Sequence, residues 1–85
     1  MKQFSYVLTQ SGSLQGKPMT SLQREASRFS SRVFLGNGKK SASLSEAHAV
    51  TKLDLNCGNR MTVTIEGRDE EAAVAAIQNY VVANM

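Results

Sequence analysis

Polar and apolar residues alternate at the start of the chain, where Gln3, Ser5 and Thr9 interleave with Phe4, Tyr6 and Leu8. A period of two over residues 3–9 predicts a strand with one buried and one wet face. The period then lengthens. After a polar, glycine-containing loop at 10–16, Met19, Leu22, Ala26 and Phe29 recur at helical spacing and predict one apolar stripe over 17–29. Pro18 suits the first turn of that helix, where a missing N–H forfeits no intrahelical bond. Thr20, Ser21, Gln23, Arg24, Glu25 and Arg28 fall mainly on its wet side. Val33, Phe34 and Leu35 predict a second strand, Asn37-Gly38 a tight turn, and residues 40–43 a short return strand.

The stretch "LSEAHAVTKL" at 44–53 predicts a short helix. Ser43 or Ser45 is expected to cap it, and Ser43 with Glu46 has the spacing of a capping box. "DLNCGN" is a loop. "RMTVTIEG" alternates Met61, Val63 and Ile65 with Thr62, Thr64 and Glu66, which is again a one-sided strand. The last stretch, from Arg68 onward, carries the strongest helix signal. Asp69 is placed to cap it, Glu70 and Glu71 favour its positive end, and Ala73, Val74, Ile77 and Val81 form a core-facing stripe. The expected order is β-α-β-β-α-β-α. Strands with one wet face call for an antiparallel sheet with helices covering the opposite face, an α+β fold.

Composition narrows the function classes. The 85 residues are expected to form a single domain, 1–85; they are 41% hydrophobic and 20% charged, too apolar for disorder. No apolar run approaches the roughly 18 residues of a membrane span, so no membrane insertion is expected. The first ten residues lack the apolar block of a signal peptide, and a cytoplasmic location is expected. Cys57 is the only cysteine and His48 the only histidine. That excludes an internal disulfide and leaves too few ligands for a zinc site; no metal or cofactor is expected. No basic cluster or resolving thiol flanks Cys57, which is expected to be a packed loop residue. The net charge of +3 comes from ten basic residues scattered along the chain, with only five aromatics. That pattern does not favour direct nucleic-acid binding, which uses a basic groove lined with stacking rings.

Four strings, in register over nearly the whole chain, carry a resemblance. "SLQGKP", "REASRFSS", "NGKKSASLSE" and "EGRDEEAA" resemble the active-site motif, the first-helix end, the hairpin with its regulatory segment, and the last-helix entry of the HPr family. These are the small phosphocarriers of the bacterial sugar phosphotransferase system. The resemblance implies an open-faced β-sandwich: a four-stranded antiparallel sheet with three helices on one face. It also implies a protein that is not an enzyme. In the family, the histidine of G-L-H-x-R-P accepts a phosphoryl group from Enzyme I and passes it to a sugar-specific component. That chemistry needs an imidazole nucleophile and a helix N-terminus to steady the anion.

Here the histidine position holds Gln15, the arginine position holds Lys17, and Pro18 is kept. A glutamine nitrogen has its lone pair delocalised into the carbonyl, so phosphohistidine relay at residue 15 is expected to be absent. Gly16 and Lys17 still offer N–H groups for a weak anion contact. Lys17 keeps the charge but loses the two-pronged guanidinium grip; it reads equally as a solvated side chain. Met19 reads as core by periodicity and, by resemblance, as part of an apolar rim for partners. The family's regulatory serine position falls on Glu46. Its one negative charge either imitates a phosphoserine, which carries nearly two, or simply belongs to a helix cap. Ala47 and His48 replace larger apolar residues that dock onto partners in the family.

The chain also resembles the catabolite-repression HPr-like paralogues, which have glutamine for the histidine, act with a transcription factor, and can swap their first strand between subunits. The expectation is therefore a regulatory interaction module that meets a phosphotransferase-system component or a transcriptional regulator through Gln15, Gly16, Lys17, Met19, Glu46, Ala47 and His48, and that can form a homodimer. The alternative is a phosphocarrier with a different acceptor, His48 or Ser45. Against His48 stands the absence of helix-start geometry in "SEAHAVT".

Overall fold

The computed structural model describes residues 1–9, 16–53, 55 and 58–84, with the backbone alone for Gly16, Lys17, Pro18 and Ala47. The elements run in the expected order: β1 (Lys2–Val7), α1 (Gly16–Ser27), β2 (Arg32–Gly36), β3 (Ser41–Ser43), α2 (Ala47–Thr51), β4 (Arg60–Glu66) and α3 (Glu70–Asn84). The four strands form one antiparallel sheet in the order β1-β4-β2-β3.

The order explains where the helices lie. β1 and β2 both run antiparallel to β4, so they are parallel to each other, and α1 bridges them over β4. By the same logic β3 and β4 are parallel, and α2 bridges them over β2. The two crossovers travel in opposite directions along strands of opposite sense. A common right-handed rule therefore sends both helices to the same face. That face is the apolar one. Met61, Val63 and Ile65 of β4 are fully buried, and they meet Val33 and Leu35 of β2 and the half-buried Phe4 and Tyr6 of β1. Leu22 of α1 and Ala73, Ile77 and Val81 of α3 close the core from above. Gln3, Thr62, Thr64 and Phe34 lie on the other, open face, where Gln3 Nε2 donates to Thr64 Oγ1 at 3.1 Å.

Local chemistry departs from the sequence expectations at four points. α1 stops at Ser27 rather than 29: the N–H groups of Arg28 and Phe29 turn back to the carbonyls of Glu25 and Ala26 at 3.3 and 3.2 Å. The hairpin turns one residue later than expected. Asn37 and Lys40 close it (Asn37 N to Lys40 O, 3.0 Å), and Gly38 and Lys39 form the tip. Gly38 has φ 95°, which a glycine adopts without penalty. Asn37 Oδ1 accepts from the Lys39 and Lys40 N–H groups at 2.9 and 2.8 Å, so its side chain organises the turn instead of occupying the tip.

The capping box also fails to form. Glu46 occupies the N-cap of α2 with no side-chain cap hydrogen bond, and the Ser43 hydroxyl pairs with that of Ser45 at 2.9 Å. Finally, the Asp69 carboxylate serves a distant loop. It accepts from Ser30 N–H at 2.8 Å and from the Ser31 hydroxyl, 38 residues away in sequence, while its carbonyl receives Ala73 N–H at 2.8 Å. The entry to α3 is thereby tied to the entry to β2. Gly67 makes room for that tie: a Cβ there would stand 2.6 Å from Ser31 Cα.

Two predictions follow from this junction. The Ser31 hydroxyl and then the Ser30 N–H hold the Asp69 carboxyl below its ordinary value near 3.8. A depressed carboxylate stabilises the fold above its unfolded pKa, and the stabilisation is lost as the pH falls through the folded value. The melting-temperature gap between the parent and Asp69→Ala is therefore expected to be widest near neutral pH and to close below about pH 4; thermal melts across that range check it. Gly67→Ala is expected to cost about 1–3 kcal/mol in urea unfolding, because the Ser31 backbone has to move.

Candidate functional site

The chain leaves β1 at one end of the sheet and re-enters regular structure at the start of α1. Leu8, just beyond β1, is fixed by Leu8 N to Asn59 O at 3.0 Å and by Gly58 N to Leu8 O at 2.8 Å. The chain next enters residues 10–15, which lie outside the described residues, Gln15 among them. α1 then begins at Gly16. A helix start presents backbone N–H groups with no intrahelical acceptor, so the position that follows Gln15 is the positive end of a helix of 12 residues. The side chain of Lys17 lies outside the described residues.

Met19 belongs to the core. At 4% exposure it packs with Leu8 and Leu22, so the periodicity describes it and the exposed-rim reading does not. Its burial anchors the first turn of α1 at this edge of the fold.

α2 is positioned from both sides. Leu44, buried just ahead of it, donates its N–H to Val33 O at 2.8 Å, and its carbonyl accepts from Gln23 Nε2 of α1 at 2.9 Å. Gln23 is half-buried for that reason, although its place on the helical wheel is polar. Val50 and Leu53 hold the other flank of α2 in the core. Ser45, Glu46 and His48 are left exposed, and Thr51 Oγ1 donates to His48 O at 2.7 Å. Among the described residues no hydrogen bond or ion pair engages the side chains of Glu46 or His48. The Ala47 side chain lies outside the described residues.

Between α1 and the approach to α2 lies a cleft of about 230 Å³, walled by Ala26, Phe29, Val33 and Leu44 and rimmed by Ser27 and Ser45. Sequence reasoning missed it, since Gln23 and Ser27 carry no signal beyond polarity. A link from α1 to the approach to α2 thus runs from Gln23 to Leu44. Among the described residues no group of three or more His, Cys, Asp or Glu side chains is placed to hold a metal ion. No helix among them is long and apolar enough to cross a membrane. Cys57, expected to pack in a loop, lies outside the described residues.

Comparison with known proteins agrees with this fold. Residues 2–83 match the family model described as the PTS HPr component phosphorylation site. The phosphocarrier protein HPr of Mycoplasma capricolum is 28% identical over 82 residues, covering 96% of this chain and 92% of the relative. The HPr-like protein Crh of Bacillus subtilis is 31% identical over 68 residues, 80% of each chain. A crystal structure of that Crh, described as a dimer with a swapped domain, superposes with a TM-score of 0.77 at 27% identity, covering 100% of this chain and 98% of Crh. HPr-C-His from Thermoanaerobacter tengcongensis superposes with a TM-score of 0.90, covering 99% of this chain and 94% of that one; at 24% identity this bears on the fold alone. With a family match across nearly all its length and the family's helix-covered antiparallel sheet, the chain belongs to the HPr family and is a phosphocarrier-like protein related to the phosphotransferase system.

Proposed function

We propose that this protein is a regulatory interaction module of the phosphotransferase system that does not carry phosphate at residue 15. The observation that carries the reading is Gln15 itself, set immediately before the start of α1 at Gly16. The motif places the family's accepting imidazole there. An amide at that point keeps the hydrogen-bonding capacity and loses the nucleophile. What remains is a shape: a helix start beside Lys17, and the exposed start of α2 with Glu46 and His48.

The state of Glu46 supports a role in contact. It stands at the N-cap of α2 without spending its carboxylate on a cap bond. Its negative charge is thus presented outward, in the place where the family's switchable members gain charge by phosphorylation. On this reading the partner is a phosphotransferase-system component or a transcriptional regulator in the cytoplasm, met by the whole chain acting as one domain. The Crh relative makes a homodimer a second mode of assembly for the same fold.

The test is chemical. Purified protein incubated with phosphoenolpyruvate and Enzyme I is expected to show no phosphate adduct by intact-mass spectrometry, while Gln15→His is expected to gain one. An adduct on the unaltered chain overturns the reading; if His48→Ala then abolishes it, the alternative acceptor is His48. Glu46→Ala separates contact from structure. With no cap bond to lose, it is expected to change unfolding free energy by less than about 0.5 kcal/mol while weakening capture of the partner from cell extract.

A further inference from the structure

The two ends of the sheet differ in charge in a way the sequence does not reveal. At one end Glu66 closes β4 and Asp69, Glu70 and Glu71 open α3, and these four of the seven carboxylates are mixed with Lys2, Arg32 and Arg68. The opposite end is set by the pairing of Gly36 with Thr62 and of Val7 with Arg60. There the tip of the β2–β3 hairpin carries Lys39 and Lys40, β4 begins at Arg60, and α2 runs out into Lys52. Among the described residues none of these four cations has an ion-pair partner; the pairs formed belong to the chain's amino group, Lys2 and Arg28.

Two clefts meet at Lys39. One, of about 340 Å³, is lined by Lys39 and Arg60 with Leu53 and Leu55 as its apolar wall and Asn37 and Asn59 beside them. Asp54, between the two leucines in sequence, lies outside the described residues. The other, of about 530 Å³, continues over the open face of the sheet, past Lys40 and Ser41 to the half-buried ring of Phe34; its lining also includes Glu66, at the far end of β4 from the hairpin tip. Asn37 stiffens the corner between them: its amide donates to Leu53 O at 2.9 Å while its Oδ1 holds the turn. The hairpin tip is therefore braced against the α2–β4 segment, and the cations at its edge project from a fixed support.

We infer that this hairpin-tip end is a docking surface for an acidic segment of a partner protein, with carboxylates meeting Lys39, Lys40 and Arg60 and apolar side chains lying against Leu53, Leu55 and Phe34. Charge complementarity selects the anion: among the described residues the charged side chains lining the smaller cleft, Lys39 and Arg60, are both cations. The leucine wall and the single ring on the open face select a protein segment over a nucleic acid, which would require successive rings for its bases. The surface contains none of the residues assigned to the proposed contact at α1 and α2, so it stands or falls independently of that reading.

The experiment uses a fluorescent polyglutamate peptide interspersed with leucine, titrated by anisotropy at low and at physiological salt, with amide shifts mapped by NMR. Saturable, salt-sensitive binding is expected, with shifts centred on Lys39, Lys40, Asn59 and Arg60. Lys39→Glu with Arg60→Glu is expected to weaken it by at least about tenfold. Arg68→Glu, a charge reversal at the other end, is expected to change it by less than about twofold. Lys39→Gln with Arg60→Gln repeats the test without introduced repulsion, and thermal melts confirm that each variant folds. Absence of saturable binding, shifts centred on the start of α1, equal losses in Arg68→Glu, or tighter binding of a thymidine oligonucleotide of matched charge would each overturn the inference.

Discussion

The fold depends on covering one face of β4. This strand lies between β1 and β2, and Met61, Val63 and Ile65 on its inner side are removed from water completely. Each such side chain contributes about 1.5–3 kcal/mol when buried and leaves an equal debt when exposed. No neighbouring strand can discharge it, because strands pair edge to edge and leave the face bare. Only helices laid across the sheet can do so. Two of the three are delivered to that face by crossovers of one hand, and the third, α3, follows β4 directly and places Ala73, Ile77 and Val81 on it. The open face is the necessary remainder. It is kept wet by Gln3, Thr62 and Thr64, with Phe34 as its aromatic exception.

That constraint was legible in the sequence because it is periodic. Alternation in 61–65 and the helical stripe at 73, 77 and 81 express burial directly, and the element order follows from them. What periodicity cannot express is a hydrogen bond between residues that meet only after folding. Asp69 was legible as a helix cap because caps are local. Its carboxylate instead satisfies Ser30 and Ser31, which no pattern near residue 69 announces. Ser43 and Glu46 had the spacing of a capping box, yet the Ser43 hydroxyl found Ser45 nearer. Gln23 looked like a solvated helix residue and instead carries a side-chain hydrogen bond between α1 and the approach to α2.

The candidate site divides in the same way. Gln15 stands out against a motif, so its chemistry could be argued from letters alone: an amide lacks a free nitrogen lone pair wherever the fold puts it. Met19 could not be settled that way, since one stripe position serves core or rim, and only its burial decides for the core. The basic end of the molecule was invisible. Lys39 and Arg60 are far apart in sequence, and ten cations scattered along the chain look like solvation. Their convergence is a product of strand register, in which the close of β2 lies beside the start of β4.

Permanent charge has a regulatory consequence on the proposed reading. A phosphocarrier alternates between two charge states, and a partner that reads phosphate can distinguish them by several kcal/mol of charge-assisted hydrogen bonding. Glu46 cannot be turned off, and Gln15 cannot be turned on. A module with one charge state can still bias a partner's conformations by binding one of them better, but it cannot switch that bias on and off by changing its own charge. Its influence would then be set by how much of it is present and by what else competes for the partner's surface. A cationic hairpin tip with no ion-pair partner among the described residues fits that mode of action. Electrostatic complementarity acts first on encounter and on the exclusion of wrong partners, and it needs no chemical switch to do so.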